Sequence, residues 1–118
     1  MDLTNIKDIK TSEGPVLKEG DLVEFYYRLA TSPENFHNGK FVETTYDPDE
    51  PIQLIYSEKT LLKGLYEGMK GMRAGGSVRI IDIPARLAYG QRAWQNIEPN
   101  TNLYIEVVIG RILYHATI

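Results

Sequence analysis

The sequence predicts an α+β domain in which antiparallel β-strands pack against one short α-helix. Segments rich in aromatic and β-branched residues recur along the chain, and turns containing Gly, Pro, Asn or Asp separate them. Only one segment has apolar residues at helical spacing. The length of 118 residues suits a single domain that buries its core without disulfides.

Five segments have strand character: residues 21–29, 41–46, 52–56, 77–83 and 102–113. The last alternates most clearly, because Leu103, Ile105, Val107 and Ile109 fall on one face. Residues 1–14 are polar and are interpreted as a loose arm or an edge strand preceding a domain that spans residues 15–118.

The predicted helix covers residues 57–72. Its apolar stripe consists of Leu61, Leu62, Leu65, Met69 and Met72. Gly64 and Gly68 weaken it, so we expect a short helix that depends on tertiary packing. Residues 31–40 are predicted as a polar loop ending in the turn pair Asn38-Gly39, and residues 86–99 as a long loop carrying Trp94.

Composition and missing motifs exclude several classes of protein. Cysteine is absent, which excludes disulfides and thiolate metal sites and suits a reducing compartment, so we expect a cytoplasmic location. The net charge of −3, without a basic block, argues against nucleic-acid binding. The N-terminal residues are not a secretory signal, and no segment is long and apolar enough to span a membrane.

Two features that suggest metal or acid–base chemistry are interpreted as surface features. His37 and His115 have no evident partner in the sequence. Asp47, Asp49 and Glu50 resemble a calcium loop only faintly, since the glycine and the distant glutamate of an EF-hand are absent. No hydrolase, zinc-protease, P-loop or dinucleotide-binding motif occurs. We therefore expect neither a cofactor nor a metal.

Three motifs carry a family resemblance through their order and spacing: LLKGLYEG at residues 61–68, IPARLAYG at 83–90 and IEPNTNL at 97–103. Together they resemble the FK506-binding protein (FKBP) family of peptidyl-prolyl cis-trans isomerases, and the likeness runs from about Leu17 to Leu113. The resemblance implies a half-open antiparallel β-sheet wrapped around one short α-helix, with a shallow apolar pocket for a proline ring between them.

The resemblance also implies roles for individual residues. The Tyr89 hydroxyl would bond the substrate amide region, the Leu62 N–H would bond a ligand carbonyl, and Tyr27 would supply an aromatic wall; these three are the predicted catalytic residues. The predicted substrate-binding residues are Val42, Glu43, Ile52, Leu54, Leu61, Leu65, Ile97 and Ile105. Taken without the resemblance, the leucines of the helix equally fit an ordinary core.

The sequence departs from the family pattern in its aromatic residues. Leu65 stands where the family usually has a tryptophan at the pocket floor, and Ile52 and Ile105 replace usual phenylalanines. Two hypotheses therefore stay open. The first is an isomerase acting on X-Pro bonds of peptides and unfolded proteins to assist folding. The second is a catalytically weak or inactive binding or chaperone module. In either case we expect a monomer that binds macrolides weakly at best.

Overall fold

The computed structural model describes residues 5–45, 51–91 and 97–114. In chain order the elements are β1 (Asn5–Lys10), β2 (Leu22–Ala30), α1 (Pro33–His37), β3 (Glu43–Thr44), β4 (Ile52–Ile55), α2 (Lys63–Gly68), β5 (Ser77–Ile83), a 3₁₀ helix (Ala85–Leu87) and β6 (Leu103–Tyr114). Trp94, His115 and the acidic residues Asp47, Asp49 and Glu50 lie outside the described residues.

The six strands form one antiparallel sheet in the order β1-β5-β6-β2-β3, and β4 also pairs with β2. The central pair is β2 and β6, whose register runs from Leu22 opposite Tyr114 to Ala30 opposite Tyr104. β3 and β4 share the free side of β2, because β4 pairs with its first half and β3 with its second. The predicted antiparallel fold class is confirmed.

Alternation of side chains gives the sheet an inner face, which carries the core, and an outer face. Val23, Phe25 and Leu29 of β2 are buried on the inner face. On β6, the predicted set Leu103, Ile105, Val107 and Ile109 is buried, and the residues between them are half-buried. The core therefore lies between this inner face and α2.

The predicted helix of residues 57–72 is wrong in length, because α2 covers only Lys63–Gly68. At its start, Leu62 has φ −54° and ψ 143°, an extended conformation that cannot continue a helix toward the N-terminus. Beyond its end, Gly71 has a φ of +82°, which suits glycine. So short a helix is unstable alone, and the buried side chains of Leu65 and Tyr66 hold it in place.

Gly68 has a packing role that helix propensity does not indicate. A Cβ at this position would lie 2.5 Å from Cγ2 of Ile81 on β5, so glycine allows α2 to approach the sheet closely. Next to it, Nη1 of the buried Arg79 donates hydrogen bonds to the carbonyls of Gly68, at 2.9 Å, and Lys70, at 2.7 Å. Arg79 Nε also donates to Asp8 on β1 at 2.6 Å, which ties the edge strand to the end of the helix.

The predicted polar loop of residues 31–40 contains the helix α1, so that prediction is wrong. Ser32 caps the helix by accepting a hydrogen bond from the Asn35 N–H at 3.0 Å, and a proline follows the cap. Phe36 then packs on the outer face, with ring centroids 5.3 Å from Phe41 and 5.2 Å from Tyr104. The Ser32 cap, the proline after it and the packing of Phe36 together account for the helix.

The structure also defines two other predicted segments, residues 41–46 and the N-terminal arm. The strand predicted over residues 41–46 is only Glu43–Thr44 within the described part of the chain. Residues 5–10 form β1, which pairs with β5 as an edge strand of the sheet. His37 is exposed at the end of α1. None of the helices that the structure describes has the length and hydropathy needed to cross a membrane.

Candidate active site

A pocket of about 320 Å³ lies between the inner face of the sheet and the start of α2. This volume is at the lower end of the range for small-molecule sites, roughly 300–1,000 Å³. The lining is mostly apolar and comes from β2 to β6, α2 and the loops between them: Phe25, Tyr27, Leu29, Glu43, Ile52, Leu54, Thr60, Leu61, Leu62, Leu65, Ile83, Tyr89, Leu103 and Ile105.

The wall formed by β2 and β4 follows from strand register. Phe25 pairs with Ile52, and Val23 pairs with Leu54, so alternate residues of both strands point to the inner face. This placement puts Ile52 and Leu54 beside Phe25 and Tyr27 in the pocket lining. The wall therefore combines two aromatic rings with two aliphatic side chains.

The entrance to α2 supplies both leucines and a backbone donor. Leu62 is the residue before the helix, and its carbonyl accepts the first bond of the helix from Tyr66 N–H at 2.8 Å. The backbone N–H of Leu62 has no acceptor among the described residues. Because the first N–H groups at a helix start are left unpaired by the helix itself, this donor is available to a ligand carbonyl.

Tyr27 is held against the rim by a carboxylate. Its hydroxyl donates a short hydrogen bond to Oε1 of Glu43, and its backbone N–H donates to Thr45 Oγ1 at 2.9 Å. Burial, followed by this contact with Glu43, raises the pKa of the Tyr27 hydroxyl well above its ordinary value. Tyr27 is therefore a neutral, oriented group at physiological pH.

Tyr89 reaches the pocket from the turn that follows the 3₁₀ helix. The Gly90 N–H donates to the Ala85 carbonyl at 2.8 Å, and the Asn100 N–H donates to the Gly90 carbonyl at 2.7 Å. Gly90 has a φ of +61°, which glycine adopts at little cost. Burial, and secondarily the charge of Glu43, raises the pKa of the Tyr89 hydroxyl. Tyr89 thus presents a protonated hydroxyl to the pocket.

Leu65 lines the pocket on the helix side, where the family resemblance leads one to expect a tryptophan. Its side chain is 8% exposed and belongs to the same core cluster as Met69. An aliphatic side chain closes the pocket but offers no π-face on which a ring can stack. The aromatic residues among the described part of the lining are instead Phe25, Tyr27 and Tyr89.

The structure brings nine of the eleven predicted site residues to this pocket, including Tyr27, Leu62 and Tyr89. It places the other two elsewhere. Val42 packs against the core, with its N–H bonded to the Leu29 carbonyl at 2.7 Å, and Ile97 is buried in the core cluster.

Five lining residues were missed by the sequence reasoning: Phe25, Leu29, Thr60, Ile83 and Leu103. The sequence contains a signal for three of them. Phe25 and Leu29 lie two residues from Tyr27, and Leu103 lies two residues from Ile105, so strand alternation places them on the same face. Thr60 had no such signal, because the segment before α2 is irregular.

The described part of the chain offers no cluster of metal ligands. Residues 5–45, 51–91 and 97–114 contain no group of three or more His, Asp or Glu side chains placed to hold a metal ion. The groups that the described lining offers are hydroxyls, a backbone N–H, one carboxylate and apolar side chains.

Comparison with known proteins places this geometry in a family. Residues 14–109 match the family model for FKBP-type peptidyl-prolyl cis-trans isomerases. An FK506-binding protein of Streptomyces anulatus is 33% identical over 87 residues, which are 74% of this chain and 66% of that protein. The chloroplastic peptidyl-prolyl cis-trans isomerase FKBP16-1 of Arabidopsis thaliana is 37% identical over 87 residues, which are 70% of this chain and 39% of that protein.

The fold is similar to that of a solved structure as well. The crystal structure of FkpA from Escherichia coli superimposes with a TM-score of 0.76 and 24% identity, covering 92% of this chain and 47% of that one. These relatives are longer than the segments they share with the present chain. The family match begins between β1 and β2 and ends within β6, and the chain belongs to the FKBP-type peptidyl-prolyl cis-trans isomerase family.

Proposed function

We propose that the chain catalyses cis–trans isomerisation of X-Pro bonds in peptides and unfolded proteins, and that the pocket under α2 is its active site. The observation that carries the proposal is the meeting of Leu62, Tyr27 and Tyr89 around one apolar pocket in a member of this family. The Arabidopsis relative, which is named as a peptidyl-prolyl cis-trans isomerase, supports the same activity.

Such a pocket needs no covalent chemistry. Rotation about a peptide bond is opposed by a barrier of about 18–20 kcal/mol that comes from amide resonance. The planar amide is charge-separated, whereas the twisted transition state is less polar. A water-poor apolar pocket therefore stabilises the twisted form relative to the planar one, and each 1.36 kcal/mol of selective stabilisation is about a tenfold gain in rate.

The polar groups at the rim have a positioning role in this mechanism. The Leu62 N–H and the Tyr89 hydroxyl donate hydrogen bonds to carbonyls that flank the rotating bond. The Tyr27 ring, held by Glu43, forms a wall for the proline. Since the raised pKa values keep both tyrosines neutral, the mechanism requires no proton transfer from these residues.

A second candidate function is a binding module that holds proline-containing segments without isomerising them. Leu65 and Ile52 favour it, because they reduce the aromatic area that packs on a proline ring relative to the family pattern. A chaperone role is compatible with both functions.

The test is exchange spectroscopy by NMR on a peptide with leucine before its proline, which measures cis–trans interconversion without a coupled protease. Catalysis predicts that the exchange rate rises in proportion to protein concentration. Binding detected by calorimetry without any rise in the exchange rate would support the binding module instead. Heat-denatured protein serves as the control for non-specific effects.

The proposal also covers the oligomeric state and the cellular location of the protein. We propose a monomer in the cytoplasm, acting on proline-containing peptides or unfolded proteins; the lack of cysteine supports a reducing compartment. Sedimentation at assay concentration tests the monomer, and fractionation of cells that express the chain tests the location. A dimer at assay concentration or recovery from another compartment would contradict these points.

A further inference from the structure

Among the described residues that line the pocket, Glu43 is the one side chain with a formal charge. It lies on β3, opposite Leu29 of β2, and is exposed. Its carboxylate therefore stands at the rim, between the apolar interior and water. A charge in this place acts on whatever part of a substrate passes over the rim.

The described structure does not neutralise this charge. The ion pairs found within residues 5–45, 51–91 and 97–114 join Arg28 to Glu106, Arg79 to Asp8 and Arg111 to Glu24, and none involves Glu43. The hydrogen bond from the Tyr27 hydroxyl to Oε1 is made to a neutral group and leaves the net charge in place. It also holds the carboxylate beside the pocket.

The charge of Glu43 affects groups on more than one side of the pocket. It contributes to the raised pKa of both Tyr27, which it contacts, and Tyr89, which approaches from another loop. Both tyrosines line the same space. The carboxylate thus lies close enough to a bound proline to act on charges carried by its neighbours in the chain.

We propose that Glu43 makes the pocket select substrates with a lysine or arginine next to the proline and discriminate against those with an acid there. This proposal rests on the proposed proline site. With the ring inside the pocket, the adjacent residues cross the rim, where a basic side chain meets the carboxylate and an acidic one is repelled. Glu43 is then a specificity-determining residue, with no part in proton transfer.

The expected effect is modest because the carboxylate is exposed. The ratio of kcat/KM for a basic over an acidic peptide is expected to be about threefold to tenfold, by analogy with exposed ion pairs. It is expected to shrink in 1 M NaCl, where the screening length falls to about 3 Å.

The experiment uses peptides that differ at one position, Lys, Gln or Glu, placed either before or after the proline. Exchange spectroscopy gives kcat/KM for each with the wild-type chain, Glu43→Gln and the matched control Glu34→Gln. Glu34 lies in the first turn of α1, outside the pocket lining. The basic-to-acidic ratio should fall to near one in Glu43→Gln and persist in Glu34→Gln.

The outcomes separate this proposal from the one on which it rests. A wild-type ratio near one at both peptide positions, or a ratio unchanged by Glu43→Gln, would overturn the role of Glu43 even if all peptides are isomerised. If no peptide is isomerised, the isomerase proposal fails. Calorimetric affinities for the same peptides then test the charge preference independently, by the same ratio and the same variants.

Discussion

The two faces of β2 differ sharply although they alternate along one nine-residue strand. On the inner face, Phe25, Tyr27 and Leu29 line the pocket. On the outer face, Glu24 and Arg28 are engaged in ion pairs. Because side chains alternate between the faces, successive residues of the same strand contribute to different features. The inner face carries the ligand pocket, and the outer face carries the ion pairs.

The outer face satisfies its charges within the protein. Arg28 Nη2 lies 2.7 Å from Glu106 Oε1 on β6, and its guanidinium stacks over Phe36 of α1 at 5.2 Å. Glu24 accepts hydrogen bonds from Arg111, at 3.1 Å, and from Gln53, at 2.9 Å. These bonds, led by the one from Arg111, lower the pKa of Glu24 despite its burial.

The pocket beside the inner face contains polar groups that remain available to a ligand. The Leu62 N–H and the charge of Glu43 have no counterpart in the described structure that pairs or neutralises them. The difference indicates that the outer face of β2 serves stability, whereas the inner face and its pocket serve ligand binding. Substitutions on the outer face should change stability, and substitutions on the inner face should change binding and turnover.

The largest effect is expected from a charge placed in the pocket. Leu62→Asp should lower kcat/KM by at least about a hundredfold, because the carboxylate loses its water where the proline ring must sit. Exchange spectroscopy on the leucine-proline peptide measures it, and circular dichroism must show a folded variant. The control is Leu113→Asp, at a leucine that is 38% exposed on β6. Equal losses of kcat/KM in the two variants would contradict the distinction between a functional pocket and the rest of the surface.

The next effect concerns ligand stacking on the helix side of the pocket. Wild-type affinity for an FK506-type macrolide should be weaker than nanomolar, and Leu65→Trp should tighten it by about tenfold, since a ring adds area and a π-face. Leu65→Met is the control, because it keeps the volume without a ring. Calorimetry measures both. Nanomolar binding by the wild type would show that the aliphatic floor is no obstacle.

A smaller effect is expected at the pocket rim. Tyr89→Phe should lower kcat/KM by roughly threefold to tenfold, since it removes one hydrogen bond of about 0.5–1.5 kcal/mol. Tyr26→Phe makes the same change on the outer face of β2 and should alter kcat/KM by less than about twofold. If Tyr26→Phe costs as much as Tyr89→Phe, the tyrosine hydroxyl in the pocket has no special part in turnover.

The smallest effect on activity is expected on the outer face. Arg28→Leu should lower the free energy of unfolding by about 1–2 kcal/mol, between the values for exposed and buried ion pairs, because Glu106 loses its Arg28 partner. Its kcat/KM should stay within about twofold of wild type. Arg28→Lys keeps the charge but not the planar stacking, so it should recover part of the stability. Urea denaturation measures both variants. A strong loss of turnover by folded Arg28→Leu would show that the two faces are coupled.

Much of the scaffold could be predicted because its signals are local. The alternation of Leu103, Ile105, Val107 and Ile109 predicted both the strand and its buried face. The predictions that failed depended largely on distant contacts, although Ser32 followed by Pro33 is a local start signal for α1. α1 is anchored by Phe36 against Tyr104, which is far away in the chain, and propensity within residues 31–40 contains no trace of that contact.

The candidate site shows the same division. Family motifs predicted that Leu62 and Tyr89 belong to one pocket, and the structure places them there. The missed residues Phe25 and Leu29 share the inner face with Tyr27, but the alternation alone does not say which buried residues border empty space. That depends on how closely α2 approaches β5, which is set by Gly68 against Ile81.

The sequence by itself determined the antiparallel strands, the apolar stripe before and within α2, and the family to which the chain belongs, because periodicity and motif order are properties of neighbours in the chain. The tertiary structure decided where α2 begins, which side chains enclose the pocket, and that Glu43 is held at its rim by Tyr27. Those features arise from contacts between residues far apart in sequence, whose packing and hydrogen bonds override local propensity.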